Sequence, residues 1–294
     1  MTSGLIRLGR SMATRSGVAH QKGTPLSRQV SGGMACCTPH ATLSKESPQT
    51  AIFDPTTGQE EPDGGIKKIL SNNEAWSAKK LAEEPDYFKN RSSYQKPHFL
   101  YLGCSDSRVP AESLMGLEPG DLFVHRNIAN QALNWDTSVE AILEFGVGVL
   151  GVSHILVCGH TNCGGVHASM KKLEGSRISN LNTWLHGLRD INRNYASFLS
   201  SIQDESDRFL ALTELNVAEQ CINIAVTEVV SACRRERAGL PHIHALIYDI
   251  CNGRVRPISP DIRDRVVAHR SEQVGHIFSV DASSIFSNQE NSKL

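Results

Sequence analysis

The sequence lacks long hydrophobic runs, and it lacks any marked excess of charge. No apolar stretch approaches the roughly 18–20 residues of a membrane-spanning helix, so we expect no membrane span. The 294 residues carry 30 Lys and Arg against 31 Asp and Glu, and this balance argues against nucleic acid as the main partner. Four cysteines fall in apolar segments, which is typical of core thiols in a reducing compartment rather than of disulfides. They are Cys158, Cys221, Cys233 and Cys251.

Acidic residues are absent from the first 45 residues, although arginine, serine and threonine recur there. This composition predicts that residues 1–48 are an organellar transit peptide, and the spacing of the arginines favours mitochondria. Two alternatives stay open, namely a chloroplast signal, or a disordered basic tail on a cytoplasmic protein. Residues 49–65 contain Pro55, Pro62 and three glycines and are interpreted as a linker.

Alternating strand and helix patterns predict one folded unit over residues 66–260. Short apolar runs predict strands at 98–104, 121–126, 154–160, 242–250 and 254–258. Helical spacing begins at Ile66, before the first strand. A second helix is predicted to start with Thr137 and Glu140 as a capping box, and to bury Gly146 and Val149. Asn252-Gly253 predicts a hairpin to the last strand. The expected fold class is α/β, with a mostly parallel sheet, an antiparallel edge strand and flanking helices. Residues 261–294 are predicted to be a polar C-terminal extension.

Two candidate metal ligands follow the apolar strand that ends near residue 160. His160 and Cys163 have a spacing that lets an imidazole and a thiolate turn toward one ion, and the carboxyl end of a strand is where open α/β sheets hold their sites. A core cysteine beside a turn histidine is the alternative. Cys104 ends another apolar run in the same way, so neighbouring strands would bring all three together. Two thiolates and one imidazole favour zinc with its fourth position open.

Asp106 and Arg108 come directly after Cys104. Because the chain turns there, the planar guanidinium of Arg108 can hold the Asp106 carboxylate through two hydrogen bonds. An ionised aspartate held in this way can accept a proton from a metal-activated water, or it can ligate the metal itself. A surface ion pair of little consequence is the alternative.

These stretches resemble the two motifs of the β-class carbonic anhydrases: C-S-D-S-R at 104–108 and G-H-T-N-C-G-G at 159–165, with F-V-H-R-N-I-A-N at 123–130 between them. The resemblance extends from about residue 66 to about residue 258. It implies reversible hydration of carbon dioxide to bicarbonate, with one Zn²⁺ per chain on the Cys104, His160 and Cys163 set. Asp106 is then the catalytic partner of Arg108, and a fourth zinc ligand in a closed form.

The resemblance also implies partners and further site residues. The expected assembly is a homodimer or a higher even-numbered homo-oligomer, with the N-terminal helices packed on a partner subunit. Five positions correspond to substrate-binding residues of the family: Gln95, Phe123, Ile128, Gly164 and Gly165. Gln95 would act on the neighbouring subunit's site.

A second anion pocket, for inhibitory bicarbonate, is formed in some members of the family by a Trp, an Arg and a Tyr. The corresponding positions are interpreted as Tyr101, Arg126 and Phe145. Phe145 has no hydroxyl, so weak bicarbonate inhibition is predicted. Two other functions stay open: hydrolysis of carbon disulfide or carbonyl sulfide on the same scaffold, and a non-catalytic zinc-binding regulatory role.

Overall fold

A computed structural model describes residues 64–171 and 179–274. The transit-peptide prediction therefore lies outside the described residues, as do most of the predicted linker and residues 275–294. The described helices are α1 Gly64–Glu83, α2 Tyr87–Arg91, α3 Ala111–Met115, α4 Thr137–Leu143, α5 Gly164–Met170, α6 Ser179–Trp184, α7 His186–Asn194, α8 Ala196–Ser201, α9 Glu205–Ala225, α10 Glu228–Glu236 and α11 Pro260–Val274. Within these ranges, no helix combines the length and hydropathy needed to cross a membrane.

The described strands form one five-stranded sheet in the order β2-β1-β3-β4-β5. The strands are β1 Phe99–Cys104, β2 Leu122–Asn127, β3 His154–His160, β4 His242–Asp249 and β5 Arg254–Pro257. All neighbours are parallel except β4 and β5, which pair antiparallel. The expected fold class is thus confirmed. Strands β1 and β3 are buried almost throughout, as expected for central parallel strands that are covered on both faces.

Helix α9 packs across one face of the sheet and contacts both β3 and β4. The approach is close: a Cβ on Gly159 would lie 2.6 Å from Val217 Cγ2. The folded unit also continues past residue 260, where the sequence prediction placed its end, because Ile262 and Val266 of α11 are buried in the main core. Arg270 of the same helix donates from Nε to Glu219 Oε2 of α9 at 2.6 Å.

The predicted helix over residues 137–149 differs from expectation in two respects. Asp136 is the N-cap, since its side chain accepts from the Ser138 N–H, so the capping box at Thr137 is wrong. The second half, Glu144–Val149, is π-helical. A π-helical turn holds more residues than an α-helical one and rotates later side chains out of phase. Val149, expected to be buried, is consequently 69% exposed.

Candidate metal centre and active site

Three predicted ligands meet at the carboxyl edge of the sheet. Cys104 ends β1 and His160 ends the neighbouring parallel strand β3. Cys163 immediately precedes α5, and its Sγ lies 3.9 Å from that of Cys104. One ligand atom from each of the three residues lies within 4.8 Å of the other two, and all three residues are buried. Two sulfurs and one imidazole nitrogen form a donor set that suits Zn²⁺ with one position left open.

The orientation of His160 supports this assignment. Its Nδ1 lies 2.9 Å from the carbonyl oxygen of Thr161, so the Nδ1–H donates there and the lone pair resides on Nε2. That Nε2 is buried and has no hydrogen-bond partner among the described residues. A backbone carbonyl that fixes the tautomer of a histidine in this way is a common feature of zinc sites.

The two thiols are electrostatically coupled. The hydrogen bond from the Cys163 thiol, helped by the backbone N–H groups of Asp106 and Ala129, lowers the pKa of Cys104 to about 4 against the opposing effect of burial. The pKa of Cys163 is raised, because it is the partner that keeps the shared proton, and burial adds to this effect. The protein therefore already favours one thiolate, and binding a divalent cation would release the remaining proton.

Asp106 and Arg108 form the bidentate pair expected from the sequence. Arg108 Nε donates to Asp106 Oδ1 at 2.9 Å, and Nη2 donates to Oδ2 at 2.7 Å. The Arg108 backbone N–H also donates to Oδ1, at 2.9 Å. The guanidinium contacts hold the pKa of the Asp106 carboxyl well below its usual range. The side chain of Asp106 is 16% exposed and that of Arg108 is 51% exposed, so the carboxylate lies beside the metal position while the guanidinium reaches solvent.

Arg126 fixes the backbone on which the pair stands. Its Nε donates to the carbonyl oxygen of Cys104 at 2.8 Å, and its Nη2 donates to that of Asp106 at 2.6 Å. Arg108 also reaches the other motif, with Nη2 3.3 Å from the carbonyl oxygen of Asn162. Arg126 thus links the turn after β1 to strand β2, and Arg108 links the same turn to the turn after β3.

The turn at Ile128–Asn130 forms a further wall of the site. Ala129 and Asn130 both adopt positive φ, 62° and 47°, a conformation that residues with a side chain rarely take. Two side chains hold this turn from outside: Trp184 Nε1 donates to the Ile128 carbonyl at 2.8 Å, and Asn216 Nδ2 donates to the Ala129 carbonyl at 3.0 Å. Sequence reasoning missed both, because they act through backbone atoms far along the chain.

Comparison with known proteins agrees with this geometry. Residues 99–255, just over half of the chain, match the family model described as "Carbonic anhydrase". The chain is 41% identical over 194 residues to a carbonic anhydrase of Emericella nidulans, covering 66% of this chain and 83% of that protein. The chain belongs to the β-class carbonic anhydrases.

Two crystal structures of this class are similar to this chain. A tetrameric enzyme of Sordaria macrospora has 34% identity and a TM-score of 0.63, over 66% of this chain and 97% of the other. CafA of Aspergillus fumigatus has 36% identity and a TM-score of 0.62, over 71% and 98%.

The positions that correspond to substrate-binding residues of the carbonic anhydrases lie in different surroundings. Ile128 is 43% exposed beside the metal position, and Phe123 is half-buried against the ring of Phe145. Gly165 lies beneath the Ile128–Asn130 turn, where a Cβ would come within 2.9 Å of Ile128 Cγ2 and of Ala129 Cβ, whereas a Cβ on Gly164 would meet open space. Gln95 is exposed in the segment before β1, and its role toward a neighbouring subunit stays a prediction.

The predicted second anion pocket is not assembled as expected for this carbonic anhydrase. Tyr101 and Arg126 project from the same face of the sheet, since their strands pair in register and Tyr101 lies two residues from Gly103, the partner of Arg126. Phe145 stacks on Phe123, with ring centroids 5.6 Å apart, and Phe123 packs in the core on the opposite face. The assignment of Phe145 is therefore wrong, because the sheet separates it from the other two residues.

Proposed function

We propose that this protein catalyses the reversible hydration of carbon dioxide to bicarbonate and a proton. The observation that carries the proposal is the Cys104, His160 and Cys163 ligand set, placed beside the ion pair of Asp106 and Arg108. Bound at this set, one Zn²⁺ per chain would lower the pKa of a water molecule enough to supply hydroxide near neutral pH.

The protein's own groups then have separate tasks. The two sulfurs and His160 Nε2 would hold the ion. The Asp106 carboxylate would accept a hydrogen bond from the nucleophilic water or hydroxide and would orient it toward the substrate carbon. Arg108 keeps that carboxylate ionised and correctly turned. Ile128 would offer an apolar surface to a linear, uncharged substrate, and a substrate-binding role of Phe123, which stacks on Phe145 near the start of β2, stays a prediction.

We also propose an even-numbered homo-oligomer. The Sordaria macrospora relative is a tetramer. Helix α1 of this chain leaves apolar side chains uncovered, since Ile66, Ile69 and Leu70 are 50–59% exposed. A partner subunit would cover these side chains, and Gln95 would then lie near the metal site of that partner.

Residues 1–48 are proposed to direct the protein to mitochondria.

A stopped-flow hydration assay on the full-length protein, with zinc analysis of the same sample, tests the activity. We expect hydration of carbon dioxide that scales with zinc content, and loss of activity in Asp106→Asn but not in Asp190→Asn, a remote surface change. Zinc-loaded protein that hydrolyses carbonyl sulfide but leaves carbon dioxide unchanged would overturn the proposal in favour of the hydrolase alternative.

A further inference from the structure

Three histidines share one face of the sheet at the edge opposite the catalytic site. His154 begins β3 and is the register partner of His242, which begins β4. Because side chains alternate along a strand, His244 points to the same face as His242. The His154–His160 strand spans roughly 20 Å at about 3.3 Å per residue, so this group is well separated from Cys104, His160 and Cys163.

Two of these imidazoles meet nitrogen to nitrogen. His154 Nδ1 lies 3.0 Å from His244 Nε2. The ring centroid of His154 is 5.2 Å from that of His244 and 5.5 Å from that of His242. Two nitrogens that bind one ion at about 2.0–2.1 Å are themselves separated by about 3 Å, so the observed distance suits shared ligation as well as a hydrogen bond.

Neighbouring groups keep the pair in place and neutral. Phe99 stacks on His154, with ring centroids 5.4 Å apart. Burial, and then the adjacent His154 and His242, lower the pKa of His244 to about 4. Burial followed by His242 and His98 lowers that of His154. Neutral imidazole is the form that ligates metals.

We propose that His154, His244 and His242 form a second metal site for an imidazole-preferring divalent ion such as Zn²⁺. Among the described residues, only the catalytic set already brings three ligand atoms within 4.8 Å. His154 and His244 are the two ligands whose nitrogens already meet, and His242, whose ring centroid lies 5.5 Å from that of His154, is the third. Water completes the coordination. An ion held there links the amino ends of β3 and β4 and stabilises the centre of the sheet.

Equilibrium dialysis tests this site. The full-length protein, preloaded with one zinc per chain, is dialysed against micromolar Zn²⁺, and the zinc bound per chain is measured. We expect a second equivalent of zinc, and at least tenfold weaker binding of that equivalent in His154→Gln and in His244→Gln. His186→Gln, an exposed histidine at the start of α7, is the matched control and should retain it. His154→Gln and His244→Gln should both keep the first zinc, and its retention would show that these variants are folded.

Thermal unfolding of the same preloaded samples gives a second measurement. Added Zn²⁺ should raise the Tm of the parent and of His186→Gln, because a ligand that binds only the folded state stabilises it, and it should leave the Tm of His244→Gln unchanged. A parent protein that stays at one zinc per chain overturns the proposal without reference to any variant. A second equivalent of zinc that His244→Gln still binds would also overturn the proposal. It would reveal adventitious binding elsewhere, for example at the exposed Cys251.

Discussion

The Oδ2 atom of Asp106 lies 3.9 Å from Nε2 of His160, the nitrogen that faces the metal position. The same oxygen accepts a hydrogen bond from Arg108. The carboxylate is therefore held between a fixed cation and the site of the proposed ion, close enough to bind the nucleophile or to ligate the metal. Its position depends on the guanidinium, and this dependence can be measured.

Asp106→Asn should retain most of its zinc and lose hydration activity by a factor on the order of 10² or more, as is usual when a positioned proton acceptor is removed. The amide cannot accept both guanidinium hydrogen bonds of Arg108. Arg108→Ala should be similarly harmful, because it frees Asp106 to ligate the metal. Stopped-flow assays normalised to zinc content provide the measurement, and parent-level activity in Asp106→Asn would exclude the dyad.

Removal of either sulfur should dismantle the centre. Cys104→Ser and Cys163→Ser should each lose most of the zinc and the activity together, because a neutral hydroxyl replaces a charged ligand. Cys251→Ser is the matched control, since Cys251 is exposed and lies outside the ligand set. Zinc analysis of the purified proteins decides, and full zinc content in either ligand variant refutes the assignment.

The two glycines after Cys163 should respond differently to the same change. Gly165→Ala forces a methyl group to within 2.9 Å of Ile128 and Ala129, and such overpacking costs about 1–3 kcal/mol. Gly164→Ala meets open space and should leave stability nearly unchanged. Denaturant unfolding of both variants gives the comparison. Equal stability of the two would show that the turn yields to the added methyl.

Acid should weaken the fold through His244. Its pKa in the folded protein is about 4, below the ordinary value near 6.5, so the unfolded chain binds a proton that the folded chain does not. Stability is therefore complete above pH ~6.5 and is lost as the pH falls toward ~4. After allowance for solvent screening, we expect a contribution of about 1–2 kcal/mol. The free energy of unfolding should fall less between pH 7 and pH 5 in His244→Gln than in the parent or in His186→Gln. An equal fall in all three proteins would contradict this role.

Residues 1–48 fused to a fluorescent reporter should carry it to mitochondria, because the segment contains several arginines and its first 45 residues contain no acidic residue. A fusion in which Arg7, Arg10 and Arg15 are changed to glutamine serves as the control and should stay in the cytosol. Plastid fluorescence would move the assignment to the chloroplast, and a cytosolic parent fusion would refute a targeting role.

The site was predictable where it depends on strand ends. Apolar runs ending at Cys104 and at His160 predict buried strands, and the structure pairs these strands in parallel as neighbours, which brings their ends together. The position of Phe145 was not predictable, because its assignment to the anion pocket rested on its spacing from the two motifs alone and spacing does not tell which face of the sheet a residue lies on. Helix α11 was hidden by its polar composition, although Ile262 and Val266, four residues apart, carry the signal of a buried stripe. Trp184 and Asn216 left no signal of this kind, since backbone carbonyls accept from any donor.

The contact between Arg270 and Glu219 has a practical consequence for how the chain can be shortened. The match to the family model ends at residue 255, and a truncation there would retain every residue of that match. Glu219 is only 5% exposed, however, and a buried carboxylate that loses its cation is strongly destabilising. A recombinant protein that ends before residue 270 should therefore aggregate or express poorly, even though all three zinc ligands, Asp106 and Arg108 are present.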